Sequence, residues 1–262
     1  MRLGSDLVRR ADLWAGLRQG MLLGAAAVVM TLPPAGLATA PLRSTPGHAT
    51  RSFADARVAD FDERPASVDA RLVADWIARS QDNRRLPFAI LDKRDARVFV
   101  FDAGARLIDS SPVLLGAAPG DDSVVGIGKR PIAQVRPEER TTPAGRFISR
   151  PGRNASGEDV VWVDYDAAVS MHRVRPVDPK ERRLERLASN DASQRRISYG
   201  CINVPVAFFE GVIEPVVGTQ RAVVYVLPEK KNVREVFVGA YPVQSLKSSR
   251  TSSRTSSQAS TM

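Results

Sequence analysis

The sequence predicts a mainly β fold with a few short helices, organised as a β-sandwich or mixed sheet in a single domain. Three observations carry this expectation. Short runs rich in β-branched and aromatic residues recur along the middle of the chain, at Phe88-Ala89-Ile90-Leu91, Arg97-Val98-Phe99-Val100-Phe101, Asp159-Val160-Val161-Trp162-Val163-Asp164 and Arg221-Ala222-Val223-Val224-Tyr225-Val226-Leu227. Turn residues separate them, as strands joined by tight connections require. Helical periodicity, by contrast, is confined to a few brief stretches.

The chain opens with Arg2, Arg9, Arg10 and Arg18, then an apolar run from Met21 to Leu32 closed by Pro33 and Pro34. Positive charge, a short apolar stretch and the small residues Gly36, Ala38 and Ala40 form the pattern of an export signal in residues 1–40. Cleavage after Ala38 is preferred, because a cut after Ala40 would leave Pro41 directly behind it. The run is shorter than the roughly 20 residues that span a bilayer, so no permanent transmembrane helix is expected. An uncleaved anchor is the alternative, and either places the domain in the periplasm or cell envelope. Residues 41–65 lack periodicity and read as a linker. In the extension 66–85, Ser67 can cap a helix whose Leu72, Val73, Trp76 and Ile77 share one face.

A strand-rich pattern occupies residues 86–228. Its first strands are separated by Asp92-Lys93-Arg94-Asp95 and Asp102-Ala103-Gly104, followed by Arg106-Leu107-Ile108 and Val113-Leu114-Leu115-Gly116, an antiparallel succession. Residues 119–128 read as an exposed glycine-rich loop; Gly126-Ile127-Gly128 lacks the spacing and the following helix of a phosphate cradle. Pro143 and Gly145 force a turn ahead of a strand at Arg146-Phe147-Ile148. Ala167-Ala168-Val169-Ser170-Met171 is a further strand and delivers His172. Residues 173–196 are polar and basic, with a short helix expected from Glu181 to Ala188. Then comes Ser198-Tyr199-Gly200-Cys201-Ile202-Asn203. Pro205 suits the first position of a helix through Phe208, Phe209 and Ile213, ending near Pro215 and Gly218. The extension 229–262 ends in a Ser/Thr/Arg-rich tail of disordered composition.

The 43% hydrophobic content supports a core, and the formal charge of +9 favours anionic surroundings such as cell-wall polymer. Nucleic acid is not the expected partner: the basic residues are scattered, aromatics make up 6%, and no recognition motif is present. Cys201 is the only cysteine, so it cannot belong to an internal disulfide. A leftover cysteine in an exported chain is either a free reactive thiol or a buried small hydrophobe. Of the two histidines, His48 falls in the linker, leaving His172 as the imidazole of the folded region. A histidine neighbour and a following helix N-terminus both lower a thiol pKa, and this chain offers candidates for each.

The ordered set Thr142-Pro143-Ala144-Gly145-Arg146-Phe147, His172, and Ser198 to Asn203 resembles the L,D-transpeptidase (YkuD-type) catalytic domain over about residues 86–228. The resemblance implies an L,D-transpeptidase-like fold and a cysteine that attacks a peptidoglycan stem tetrapeptide. The resulting thioester passes to an amine of another stem or of a wall-anchored protein. Cys201 would be nucleophile and His172 base. The Arg173 carbonyl would orient the imidazole, and N–H groups near Gly200 and Cys201 would hold the oxyanion. Tyr199, Ser198 and Asn203 flank the substrate side, the last two weighted towards scaffold. No cofactor or metal is implied. Tyr199 stands where the family has a second histidine, and the 173–196 segment is longer than usual. That segment is either a lid whose arginines bind stem carboxylates or a solvated insertion. The alternative functions are an L,D-carboxypeptidase-type hydrolase, with water as acceptor, and a non-catalytic wall-binding module.

Overall fold

In the computed structural model, residues 58–241 are described. The expected export signal, most of the expected linker, His48 and the Ser/Thr/Arg-rich tail lie outside the described residues.

Helix α1 (Val68–Ser80) begins where Ser67 Oγ accepts the Ala70 N–H at 3.0 Å, and it stops where Gln81 turns left-handed at φ 57°. The same Ser67 hydroxyl donates to Asp92 Oδ2 at 2.5 Å, tying the helix start to the first strand. Val73, Ala74 and Ile77 are fully buried, so the helix is built into the domain.

Ten strands follow: β1 (Phe88–Asp92), β2 (Arg97–Phe101), β3 (Leu107–Pro112), β4 (Leu115–Gly116), β5 (Gly145–Arg153), β6 (Asp159–Asp164), β7 (Val169–Arg173), β8 (Arg196–Ser198), β9 (Ile202–Val204) and β10 (Ala222–Val226). Eight of them form one mixed sheet in the order β3-β2-β1-β10-β5-β6-β7-β9, while β4 and β8 pair in parallel as a small second sheet. Beyond β3, Leu114 exchanges both backbone hydrogen bonds with Asn203 of β9, at 2.8 and 2.9 Å. The chain leaving one edge of the sheet thus pairs with the other edge, and the sheet is nearly closed. The fold is mainly β, as the sequence predicts.

Side-chain alternation sorts the sheet into two cores. Ala89, Leu91, Val98, Val100, Val224 and Met171 face one cluster, which Phe209, Ile213 and Val217 complete. Phe88, Ile90, Phe99, Val223 and Tyr225 face the other, covered by α1. Because β1, β2 and β10 are buried on both faces, they read as continuous apolar runs. The second core also takes in Ala59 and Phe61 on the N-terminal side. On the C-terminal side it takes in Val233 of the short helix Val233–Val236, with Phe237 and Ala240.

Between β4 and β5 the chain makes three 3-10 turns, Ile127–Lys129, Ile132–Gln134 and Pro137–Glu139. This stretch is pinned at two carboxylates rather than left as an open loop. Asp121 is buried and accepts from Lys93 Nζ (2.8 Å) and from the N–H groups of Glu229, Lys230 and Lys231. Burial opposes its charge, but these bonds hold its carboxyl below the usual carboxylate range. Glu139 accepts from Arg136 and Arg130, which lower its carboxyl from 4.5 to about 2. A carboxyl lowered on folding stabilises above its unfolded value and loses that contribution as pH falls through the folded one. Amide-exchange protection in residues 130–140 is therefore expected to drop, relative to the sheet, as pH falls from 4.5 towards 2. In Glu139→Gln it should already be reduced at pH 6.

Candidate active site

Strands β7 and β9 run parallel with His172 opposite Asn203, and the turn leading into β9 carries Cys201. That turn is clamped on several sides. Ser198 Oγ donates to the Cys201 carbonyl at 2.6 Å and accepts the Gly200 N–H at 3.1 Å. Thr142 Oγ1 donates to the Gly200 carbonyl at 2.8 Å and accepts the Gly116 N–H at 3.0 Å. Gly200 sits at φ 127°, and a Cβ there would lie 2.7 Å from the Thr141 carbonyl oxygen. Both the backbone angle and the close approach require glycine. Gly200→Ala is expected to destabilise the protein by about 1–3 kcal/mol, read as a lower urea midpoint, with slower labelling of the Cys201 thiol in the folded fraction.

Cys201 is partly exposed, its Sγ 3.7 Å from Ser170 Oγ and 3.6 Å from the Ala168 carbonyl. Burial pushes the thiol pKa up. The neighbouring His172 imidazole, with smaller contributions from Ser170, outweighs burial and brings it below the ordinary thiol value. The imidazole is itself held: His172 Nδ1 lies 2.8 Å from the Arg173 carbonyl. A carbonyl only accepts, so in the neutral ring Nδ1 carries the proton and Nε2 keeps its lone pair. The Arg173 side chain runs to the other face of β7, where it meets Glu210 (3.1 Å) and Glu214 (3.3 Å) and covers the Phe209 ring at 4.3 Å. A positioned thiol beside an oriented imidazole is an arrangement for nucleophilic acyl transfer.

Several expectations change here. The helix that starts after Pro205 does not begin beside Cys201: β9 intervenes, and four extended residues, about 13 Å of chain, separate the two. The dipole of a helix acts within its first turn, so His172 and not a helix lowers the thiol. Beyond Val206–Phe208 that helix continues as a wide π-helical stretch, Phe209–Gly218, with Pro215 inside it rather than ending it. Ser198 and Asn203 are 3% and 1% exposed, and their polar groups bond to the turn, to His172 and to Arg183. The Gly200 N–H is engaged by Ser198 Oγ, so of the two expected oxyanion donors it is the committed one. Tyr199 stays on the surface at 36% exposure, and Arg140 Cζ lies 4.0 Å from its ring centroid.

The basic 173–196 segment is exposed over much of its length, but several of its arginines are paired and part of it is packed. Arg175 pairs with Glu158, Arg182 with Glu185 and Arg196 with Glu229, while Arg195 is buried against the Asp95 and Ala96 carbonyls. Helix α2 (Arg183–Ala188) seats Leu187 with Leu114, Val174 and Ile197 in a small core of its own. Sequence reasoning missed Ser170, Arg140 and Arg183. Ser170 was accessible from the period of two in β7, which puts it on the face of His172; the other two approach through long-range folding with no local signal. Among the described residues, no group of three or more His, Cys, Asp or Glu is placed to hold a metal ion.

No family model and no curated protein matches the sequence. Among solved structures, the chain is similar to an L,D-transpeptidase from Xylanimonas cellulosilytica (residues 123–326), at 14% identity over 54% of this chain and 60% of that one, TM-score 0.35. It is similar to the helical cell shape determining protein Pgp2 from Campylobacter jejuni at 16% identity, over 61% of this chain and 57% of that one, TM-score 0.35. The catalytic domain of an L,D-transpeptidase from Enterococcus faecium shares 16% identity over 54% of this chain and 96% of that domain, TM-score 0.30. The chain thus spans about six tenths of the first two structures.

Proposed function

We propose that this protein is an exported cysteine acyltransferase of the L,D-transpeptidase type, acting on peptidoglycan stem tetrapeptides. The observation that supports it most is the Cys201 thiol, brought below its ordinary pKa by a His172 ring whose Nδ1 is fixed on the Arg173 carbonyl. The motif order 142–147, 172 and 198–203 supports the substrate class, and the basic, apolar, proline-closed start of the chain supports export.

In the proposed reaction the Cys201 proton moves to His172 Nε2 and the thiolate attacks the peptide carbonyl that precedes the terminal D-alanine. A C–S bond forms as the C–N bond breaks, and the departing amine takes the proton from the imidazolium. An acceptor amine then attacks the thioester, C–N replaces C–S, and its proton returns through His172 to the thiolate. The Cys201 N–H serves the oxyanion, since the Gly200 N–H is committed; such a donor is worth roughly 3 kcal/mol in acyl-transfer enzymes. With water as acceptor the same thioester gives a tripeptide, the hydrolase reading. Incubating the purified chain with disaccharide tetrapeptide and weighing the products separates these: cross-linked dimers are expected, and tripeptide alone would assign hydrolysis. Folded protein that releases no D-alanine and gains no acyl mass would leave the wall-binding reading, in which Tyr199 and Arg140 merely present a docking surface.

A further inference from the structure

Besides the Arg173 carbonyl on His172 Nδ1, the 173–196 segment reaches the candidate site through Arg183. Arg183, at the start of α2, donates from Nη1 to Asn203 Oδ1 at 2.6 Å, and its own Nε is held by Glu181 at 2.5 Å. The Arg183 side chain is only 14% exposed, and the small core around Leu187 fixes the helix that carries it. Asn203 is buried beside His172, with Nδ2 3.4 Å from His172 Nε2 and 3.3 Å from the Cys201 carbonyl.

Donor and acceptor chemistry fixes every group in this chain. A guanidinium has no acceptor, so the Asn203 atom facing Arg183 must be the oxygen and the amide N–H groups must point the other way. They point at His172 Nε2, while Nδ1 on the far side of the ring meets a carbonyl that can only accept. A turned amide would put its carbonyl against Nε2, where it would capture the proton that the imidazole must exchange with Cys201.

We propose that Arg183 is a positioning residue for the Cys201–His172 pair: by holding the Asn203 amide N–H groups towards His172 Nε2, it keeps the ring in the tautomer whose Nε2 is unprotonated, the form able to take the thiol proton in exchange for the long contact to Asn203. The basic segment is thereby part of the site's machinery. The inference deepens the acyltransferase reading and rests on it for its purpose, yet the arrangement itself is testable without any cell-wall substrate. Among the described residues, the charged and titratable groups linked to the ring or to Asn203 include Cys201, Arg183 with its partner Glu181, and Arg173, whose side chain leaves on the opposite face towards Glu210 and Glu214.

Because Cys201 is the only cysteine, iodoacetamide labelling of the full chain reports this one thiol across pH. Arg183→Ala is expected to slow labelling at pH 7 about tenfold and to move the rise of the profile to higher pH, with Arg183→Lys recovering most of the loss. Asn203→Asp, which keeps the shape and the partner of Arg183 but turns an acceptor towards Nε2, should show the same slowing and covers the case in which Arg183→Ala does not fold. In a His172→Ala background, Arg183→Ala should cost less than a third of what it costs in the native background. An equal loss in both backgrounds would mean that Arg183 acts on the fold alone, and an unchanged profile in folded Arg183→Ala or Asn203→Asp would overturn the proposal. A normal labelling result with no tetrapeptide turnover would instead count against the acyltransferase reading and leave the role of Arg183 standing.

Discussion

Cys201→Ala is expected to remove all tetrapeptide-dependent acyl transfer, a loss of at least about 10³-fold, because the side chain proposed to form the covalent bond has no deputy. The sequence contains no other cysteine, and a hydroxyl beside the thiol, Ser170 Oγ, lies 3.7 Å from Sγ. Ser170 sits on the same face of β7 as His172, but its residual nucleophilicity as an alcohol is far below that of a thiolate. The substitution removes one sulfur atom from a partly exposed position, so the turn held by Ser198, Thr142 and Gly200 should remain and the unfolding midpoint should move little. A discontinuous assay for released D-alanine checks the loss, and the urea midpoint checks the fold. Activity within tenfold of the native level would show that another group carries the reaction.

His172→Ala is expected to lower acylation of Cys201 by about 10²–10⁴, the usual contribution of a positioned general base. Burial alone would raise the Cys201 pKa; His172 is what brings it below the ordinary value. Without the ring the thiol titrates at higher pH, so the rate should be lowest near neutrality and recover in part on the alkaline side. The sign for stability follows from the same shift. A thiol lowered on folding adds stability above its unfolded pKa, about 8.5, and that contribution falls away as pH drops through the folded value. The variant should therefore lose stability relative to the native chain above about pH 8.5 and converge with it, for this term, in acid. A rate profile in which the native and variant proteins rise at the same pH would contradict the pairing.

How much of this was legible in the sequence depended on how local the cause was. The strands β1, β2, β3, β6 and β10 announce themselves through their own residues, and so does α1, where Ser67 caps a helix whose apolar face repeats every three or four positions. The parallel pair β4 and β8 joins Leu115 to Arg196 and Gly116 to Ser198. Two- and three-residue strands so far apart in the chain leave no periodicity to find. The wide turn of Phe209–Gly218 was equally hidden, because Pro215 normally ends a helix and here lies inside one. In the site, Cys201, His172 and Gly200 stood out by rarity or by backbone demand. Asn203 was visible as a residue but not as a buried amide between Arg183 and His172. The reason is physical: arginines in a basic segment show no partners in sequence, and only the fold shows that they pair with Glu158, Glu181, Glu185 and Glu229.

The measurement that bears most directly on the central claim is the mass of the intact chain after brief exposure to disaccharide tetrapeptide without an acceptor amine, followed by acid quench and peptide mapping. A Cys201-centred acyltransfer predicts an adduct equal to the tetrapeptide substrate less D-alanine, carried by the peptide containing Cys201 and released by hydroxylamine as a thioester should be. Unmodified, folded protein after many equivalents of substrate, or an adduct on any residue other than Cys201, would contradict it.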